Sequence, residues 1–140
     1  MKKSIPFVAI LFMLFASLLS GCATEPDPDP SPTDARTAFL GRWSVVETPT
    51  KLTYEVNITT DPNSTDGVFI SNFGNTGSGS NPAAATIGGK TITLDPNQTI
   101  GEGWIINGYG NLSTTTRISW NYSINDGADV IYYIATYTKR

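Results

Sequence analysis

The chain has 140 residues, a net charge of −3, 11% aromatic residues, a single cysteine and no histidine. The missing histidine excludes Ser-His-Asp and Cys-His nucleophilic arrangements and histidine-based metal sites, and the lone cysteine excludes an intramolecular disulfide. Residues 37–140 carry six basic and eight acidic side chains; no basic stripe exists to neutralise a phosphate backbone, so nucleic acid is not an expected partner.

Lys2 and Lys3 precede an apolar run over residues 5–19, broken only by Pro6 and Ser17. A charged start followed by a short apolar segment reads as a secretory signal over residues 1–21, not as a membrane span. The run ends in Leu19-Ser20-Gly21-Cys22, which resembles a bacterial lipobox. The resemblance implies cleavage between Gly21 and Cys22, a diacylglycerol on the Cys22 thiol and often a further acyl chain on the new amino terminus. The alternative is an ordinary signal with an incidental cysteine. Each buried CH₂ contributes about 0.8 kcal/mol, so several acyl chains hold far more firmly than one. By resemblance to Gram-negative sorting, Ala23 after the anchor implies release to the outer membrane, facing either the periplasm or the cell surface.

Residues 22–31 read as a tether. Glu25-Pro26-Asp27-Pro28-Asp29-Pro30 alternates acid with proline, which blocks helix and extends the preceding residue. Residues 32–140 then make one domain's worth of chain. Ser31, Pro32 and Asp34 look like a helix start, with the helix running through Phe39 and Leu40 to Gly41.

Beyond Gly41, strand-like runs follow one another: residues 42–47, 52–59, 68–73, 83–87, 90–94, 104–109, 115–124 and 129–138. The clearest places Ile118, Trp120, Tyr122 and Ile124 on one face and Arg117, Ser119, Asn121 and Ser123 on the other. Gly88-Gly89 reads as a two-residue hairpin turn, and residues 74–81 as a flexible polar loop. Regular short strands without a long helix predict an all-β antiparallel sandwich or barrel. Residues 130–135 are apolar on both faces and unsuited to an open edge, which favours closure. The expectation is a small up-and-down antiparallel β-barrel of about eight short strands, preceded by a short helix.

Gly41 and Trp43 form a Gly-X-Trp motif on the first strand, after a short helix and before up-and-down strands. This layout resembles the lipocalin family, and more closely the small lipocalin-like lipoproteins of Gram-negative bacteria. The resemblance implies that Trp43 closes one barrel end and packs against a cation, for which Arg117, Lys139 and Arg140 are candidates. In an up-and-down barrel of even strand number both termini lie at one end, so the helix and Trp43 occlude that end and the opposite mouth is expected to be the accessible one. The chain departs from the family in its short strands and in lacking the later motifs and disulfides.

Asp61, Asn63 and Asp66 resemble a calcium loop, but Gly67 falls one place late and Asn72 stands where a glutamate is needed; a plain turn explains them, and no metal or cofactor is expected. Glu47, Glu55, Asp95 and Glu102 supply carboxylates for a glycosidase pair, with nothing in the sequence to bring two together. Five Asn-X-Ser/Thr sequons, at Asn57, Asn63, Asn97, Asn111 and Asn121, fit chance in an Asn- and Thr-rich chain. Trp104, Tyr109, Tyr133 and Tyr137 are candidates for a ligand pocket, or for core and rim packing.

The functional expectation is a monomeric, non-catalytic envelope lipoprotein, held to the membrane through Cys22 and binding a small apolar or amphipathic ligand. A structural or protein-interaction module with a filled barrel is the alternative, and a carbohydrate-active protein a distant third. An interior filled by Ile118, Trp120 and Tyr122 favours the partner; a void of roughly 300 Å³ or more favours the ligand.

Overall fold

A computed structural model describes residues 33–140. Gly21, Cys22, the signal, the tether, Ser31 and Pro32 lie outside the described residues.

Alternating apolar and polar residues become alternating inward and outward side chains. Nine strands occur among the described residues: β1 (Gly41–Thr48), β2 (Thr53–Thr60), β3 (Gly67–Ser71), β4 (Ala83–Gly88), β5 (Thr91–Leu94), β6 (Thr99–Ile100), β7 (Trp104–Thr114), β8 (Arg117–Asn125) and β9 (Val130–Lys139). Neighbouring strands pair antiparallel, β1 pairs with β9, and β5 pairs with β7 through Thr91–Asn111, Ile92–Gly110 and Thr93–Tyr109. These pairings close eight strands into an antiparallel barrel. The ninth, β6, is a two-residue flap on the start of β7 that the sequence reading missed. Two residues carry too little periodicity to register.

Closure gives β9 a partner on both sides, β1 and β8. Its outward side chains still meet solvent: Tyr132 is 77% exposed and Ile134 61%. Inward, Ile118, Trp120, Tyr122 and Ile124 of β8 are all buried. Phe73 sets its ring edge-on to Trp120 and Tyr122, with centroids 5.4 and 4.8 Å apart, and Tyr137 lies 5.5 Å from Trp120.

Several elements differ from the sequence expectation. The short N-terminal helix is a single 3-10 turn, Ala35–Ala38, capped by the Asp34 side chain, which accepts from the Arg36 N–H. Four residues cannot offset the nucleation cost of an α-helix, and Phe39 is drawn into the core directly after them. The third strand ends at Ser71; Phe73 instead sits in a 3-10 turn, Phe73–Asn75, and is buried. The segment after it is tied down too: the Asn72 side chain accepts from Gly77 N–H, Thr76 Oγ1 donates to Phe73 O, and Ser80 Oγ donates to Thr76 O. The turn between β4 and β5 is Gly89-Lys90, one place later than expected, because Gly88 pairs with Thr91.

The sixth expected strand runs past its glycines to Thr114. Gly108 pairs with Tyr122 and Gly110 with Trp120. A Cβ on Gly110 would lie 2.7 Å from the Trp120 ring, and one on Gly108 would strike Tyr122 and the Asn121 carbonyl. These glycines make room for the two largest β8 side chains while keeping the ladder intact.

Candidate functional site

The alternating strand directions place the ends of the barrel in different hands. One end gathers the 3-10 turn before β1 and the start of β1. Trp43 is fully buried there and donates from Nε1 to Phe39 O at 2.8 Å. Lys139 Nζ lies 5.2 Å from the Trp43 ring centroid and donates to Ala38 O. Arg117 opens β8, exposed, and Arg140 instead pairs with Glu55 at 2.6 Å. Gly41 opens β1.

The same end holds the loop between β2 and β3. Asp61 Oδ1 accepts from Asn63 N–H, and Asp66 Oδ1 accepts from Ser64 Oγ, so these side chains bond within the turn. The loop carbonyls do embrace a cation, but it is a guanidinium. Arg36 Nη1 donates to the carbonyls of Asp61, Ser64 and Gly67, at 3.3, 2.7 and 3.2 Å. Asp34, ion-paired with Arg36 at 2.8 Å, holds the guanidinium from the other side, and its carboxyl is pushed below the usual range by that bond.

The opposite end is a mouth formed by the connections β1–β2, β3–β4, β5–β7 and β8–β9. A cleft of about 290 Å³ opens there, walled by Trp104, Tyr133, Leu52, Ile124 and Ile131, with Asp126 at the rim and Glu47 in its floor. Glu47 follows Trp43 and Val45 on the inward face of β1 and is only 3% exposed. It is the buried charged residue among those described. Tyr54 Oη donates to Glu47 Oε1 at 2.6 Å, and Tyr122 Oη donates to the same oxygen. Glu47 pairs across the ladder with Ala135 of β9, and Tyr122 reaches the carboxylate from β8, one strand further on. Oε2 accepts no hydrogen bond among the described residues, yet it is not one of the fully buried atoms that lack a partner, so it keeps contact with solvent, and Glu47 lines the cleft.

Burial, then the neighbouring tyrosine and glutamate oxygens, push the Tyr54 and Tyr122 phenols far above the ordinary range, so both remain donors. Tyr133 stacks on Tyr122 with ring centroids 5.2 Å apart, and its phenol is also raised, by desolvation and by Glu47. The Asp126 carboxyl is lowered instead by backbone N–H donors from Asp129 and Ala128. It is ionised at neutral pH.

The four aromatic candidates do not line one surface. Trp104 and Tyr133 line the mouth cleft, and Tyr133 also lines a wider groove that it shares with Tyr109. Tyr109 is 47% exposed on the outer wall, beside Tyr132, Asn107 and Asn121, along that groove of about 590 Å³. Tyr137 is wholly buried beside Trp120, and neither its hydroxyl nor Trp120 Nε1 has a hydrogen-bond partner among the described residues. The outer groove is larger and is also aromatic, with Tyr109, Tyr122, Tyr132 and Tyr133 in its lining, but no charged group lines it. The mouth cleft is smaller and concentrates a buried carboxylate, a rim carboxylate and two aromatic rings.

The four carboxylates do not gather either. Glu47 is inside, Glu55 is outside against Arg140, Asp95 accepts from Thr86 Oγ1, and Glu102 is exposed. Sequence reading placed Glu47 at a strand end and passed over its phase. Its position two residues after Val45 and four after Trp43 was the available signal. No protein-family model matches this sequence, and no curated protein matches it.

Proposed function

We propose that the chain is an envelope lipoprotein, anchored through Cys22 to the outer membrane, whose barrel binds a small amphipathic ligand at the mouth without catalysis. The Glu47 floor beneath the Trp104 and Tyr133 walls is the observation that carries this reading. One oxygen of that carboxylate has no partner among the described residues, so a polar group of a ligand in the cleft has an acceptor to meet. The ligand stays in the mouth, because Phe73, Trp120, Tyr122 and Tyr137 fill the interior below. Kinship with small lipocalin-like lipoproteins is supported by the barrel order and by the buried Trp43 beneath Lys139.

A second reading, a monomeric module that docks an envelope protein, is favoured by the filled interior and by the outer wall. Tyr132, Ile134, Val130, Tyr109 and Val46 are exposed there at 42% or more, as is Ile131 nearer the mouth. Native mass spectrometry of the protein purified from its own membrane separates the two. A co-purifying small molecule supports the first, a co-purifying protein the second, and neither species overturns both. The anchor is tested by metabolic labelling with a clickable fatty acid: Cys22→Ala should lose the label and leave the membrane fraction. A Cys22→Ala protein that keeps both would remove the lipoprotein reading.

A further inference from the structure

We infer that the mouth cleft selects a small organic cation, an ammonium head group carrying a short apolar substituent. The inference rests on the ligand-binding reading and narrows it to a chemical class.

The charge comes from Glu47 and Asp126. Both face the cleft, and no basic side chain lines it. Glu47 spends one oxygen on two phenols and keeps Oε2 without a donor. A buried carboxylate in that position is best satisfied by a cation arriving from outside. Asp126 is held ionised at the rim by the Ala128 and Asp129 amides, so a positive ligand meets a negative rim before the floor.

The walls decide which cation. A hard metal ion needs six or more oxygens, and among the described residues no three carboxylates gather here: Glu47 and Asp126 share a cleft walled mainly by hydrocarbon and rings. A quaternary ammonium has no N–H to hydrate, is only weakly solvated and is attracted to the faces of Trp and Tyr, here Trp104 and Tyr133. Tyr133 is braced from behind by its stack on Tyr122, which is itself fastened to Glu47. One ring of the wall and the floor carboxylate are therefore positioned by a single connected group. The volume, about 290 Å³, admits a head group and a few methylenes and not a folded lipid chain.

The test uses the full chain in a non-ionic detergent and a pair of probes of equal shape. Choline carries the charge; 3,3-dimethyl-1-butanol replaces its nitrogen by carbon. Calorimetric titration should show choline binding about tenfold or more tightly than the neutral probe. Glu47→Gln should weaken choline several-fold more than the neutral probe and so cut that preference. Should Glu47→Gln fail to fold, Asp126→Asn and Trp104→Leu at the rim take its place, each weakening choline several-fold; Asp126→Asn should weaken choline more than the neutral probe. Equal affinity for the two probes, or a preference that survives the carboxylate substitutions, overturns the cation inference while the amphipathic ligand stands. Binding of neither probe at millimolar concentration overturns both.

Discussion

Tyr122 Oη donates to Glu47 Oε1 across 75 residues of sequence, and Tyr54 Oη donates to that same oxygen from the neighbouring hairpin strand. The barrel thereby joins β8, β1 and β2 through one buried carboxylate. Removing a single phenol leaves the carboxylate one donor; removing the carboxylate strands two phenols. Tyr122→Phe should cost about 1–3 kcal/mol, and Glu47→Leu more than Tyr122→Phe. Adding Tyr54→Phe and Tyr122→Phe to Glu47→Leu should recover most of the loss, since an apolar replacement of the whole network leaves nothing unpaired. Urea unfolding of the three proteins checks this. A triple variant no more stable than Glu47→Leu would mean that packing, not hydrogen bonding, is what the group supplies.

Alkali should unfold the protein through its buried phenols. Tyr54, Tyr122 and Tyr137 all have phenols raised in the fold, chiefly by desolvation, above an ordinary value of 10.0. The unfolded chain therefore loses these protons first. Stability is whole below pH 10 and falls as pH rises above it, because the unfolded state then binds fewer protons than the folded state. Phenolate absorbance should contain a cooperative step that coincides with loss of the β circular dichroism signal. Reversible titration of every tyrosine near pH 10 with the fold intact would contradict the burial described for these residues.

Trp43→Ala should cost about 3–5 kcal/mol, as expected for removing a wholly buried indole that also donates to Phe39 O. Lys139→Met keeps the aliphatic stem and removes the charge over the ring. It should cost about 0.5–2 kcal/mol, with the loss reduced in Trp43→Leu. Denaturant midpoints of the single and double variants give the coupling. An additive pair would show that the lysine acts on the Ala38 carbonyl alone.

Gly110→Ala should destabilise by about 1–3 kcal/mol, since its methyl group would stand 2.7 Å from Trp120 and 2.9 Å from Ile118. Gly108→Ala should be worse, because one of the atoms it strikes is the Asn121 carbonyl, which cannot move without breaking the ladder. Gly79→Ala, with open space around it, should change stability by less than about 0.5 kcal/mol. Thermal melts rank the three, and Gly110→Ala matching Gly79→Ala would place the Trp120 ring elsewhere.

The strands of this chain were legible because side-chain phase is local. Ile118, Trp120, Tyr122 and Ile124 declare an inward face by their spacing alone, and the turn-forming residues between runs mark where each strand reverses. Composition settled what chemistry was absent, since a chain without histidine has none to arrange in any fold. The up-and-down order and its closure were legible too, but the entry of Phe73 into the core from a 3-10 turn, out of a run that reads as strand, was not. That turn depends on which distant surfaces meet, and period-two patterning is silent about that. Glu47 shows the division most sharply. Its phase with Trp43 and Val45 was written in the sequence, but a carboxylate on an inward face is tolerable only with partners, and those partners arrive from β2 and β8. Arg36 is the same case from the other side: only the folded chain brings its guanidinium to three carbonyls of a loop some thirty residues away, at separations of 25, 28 and 31. Local sequence chose the faces; the long-range pairing of strands chose which polar groups could be buried against one another.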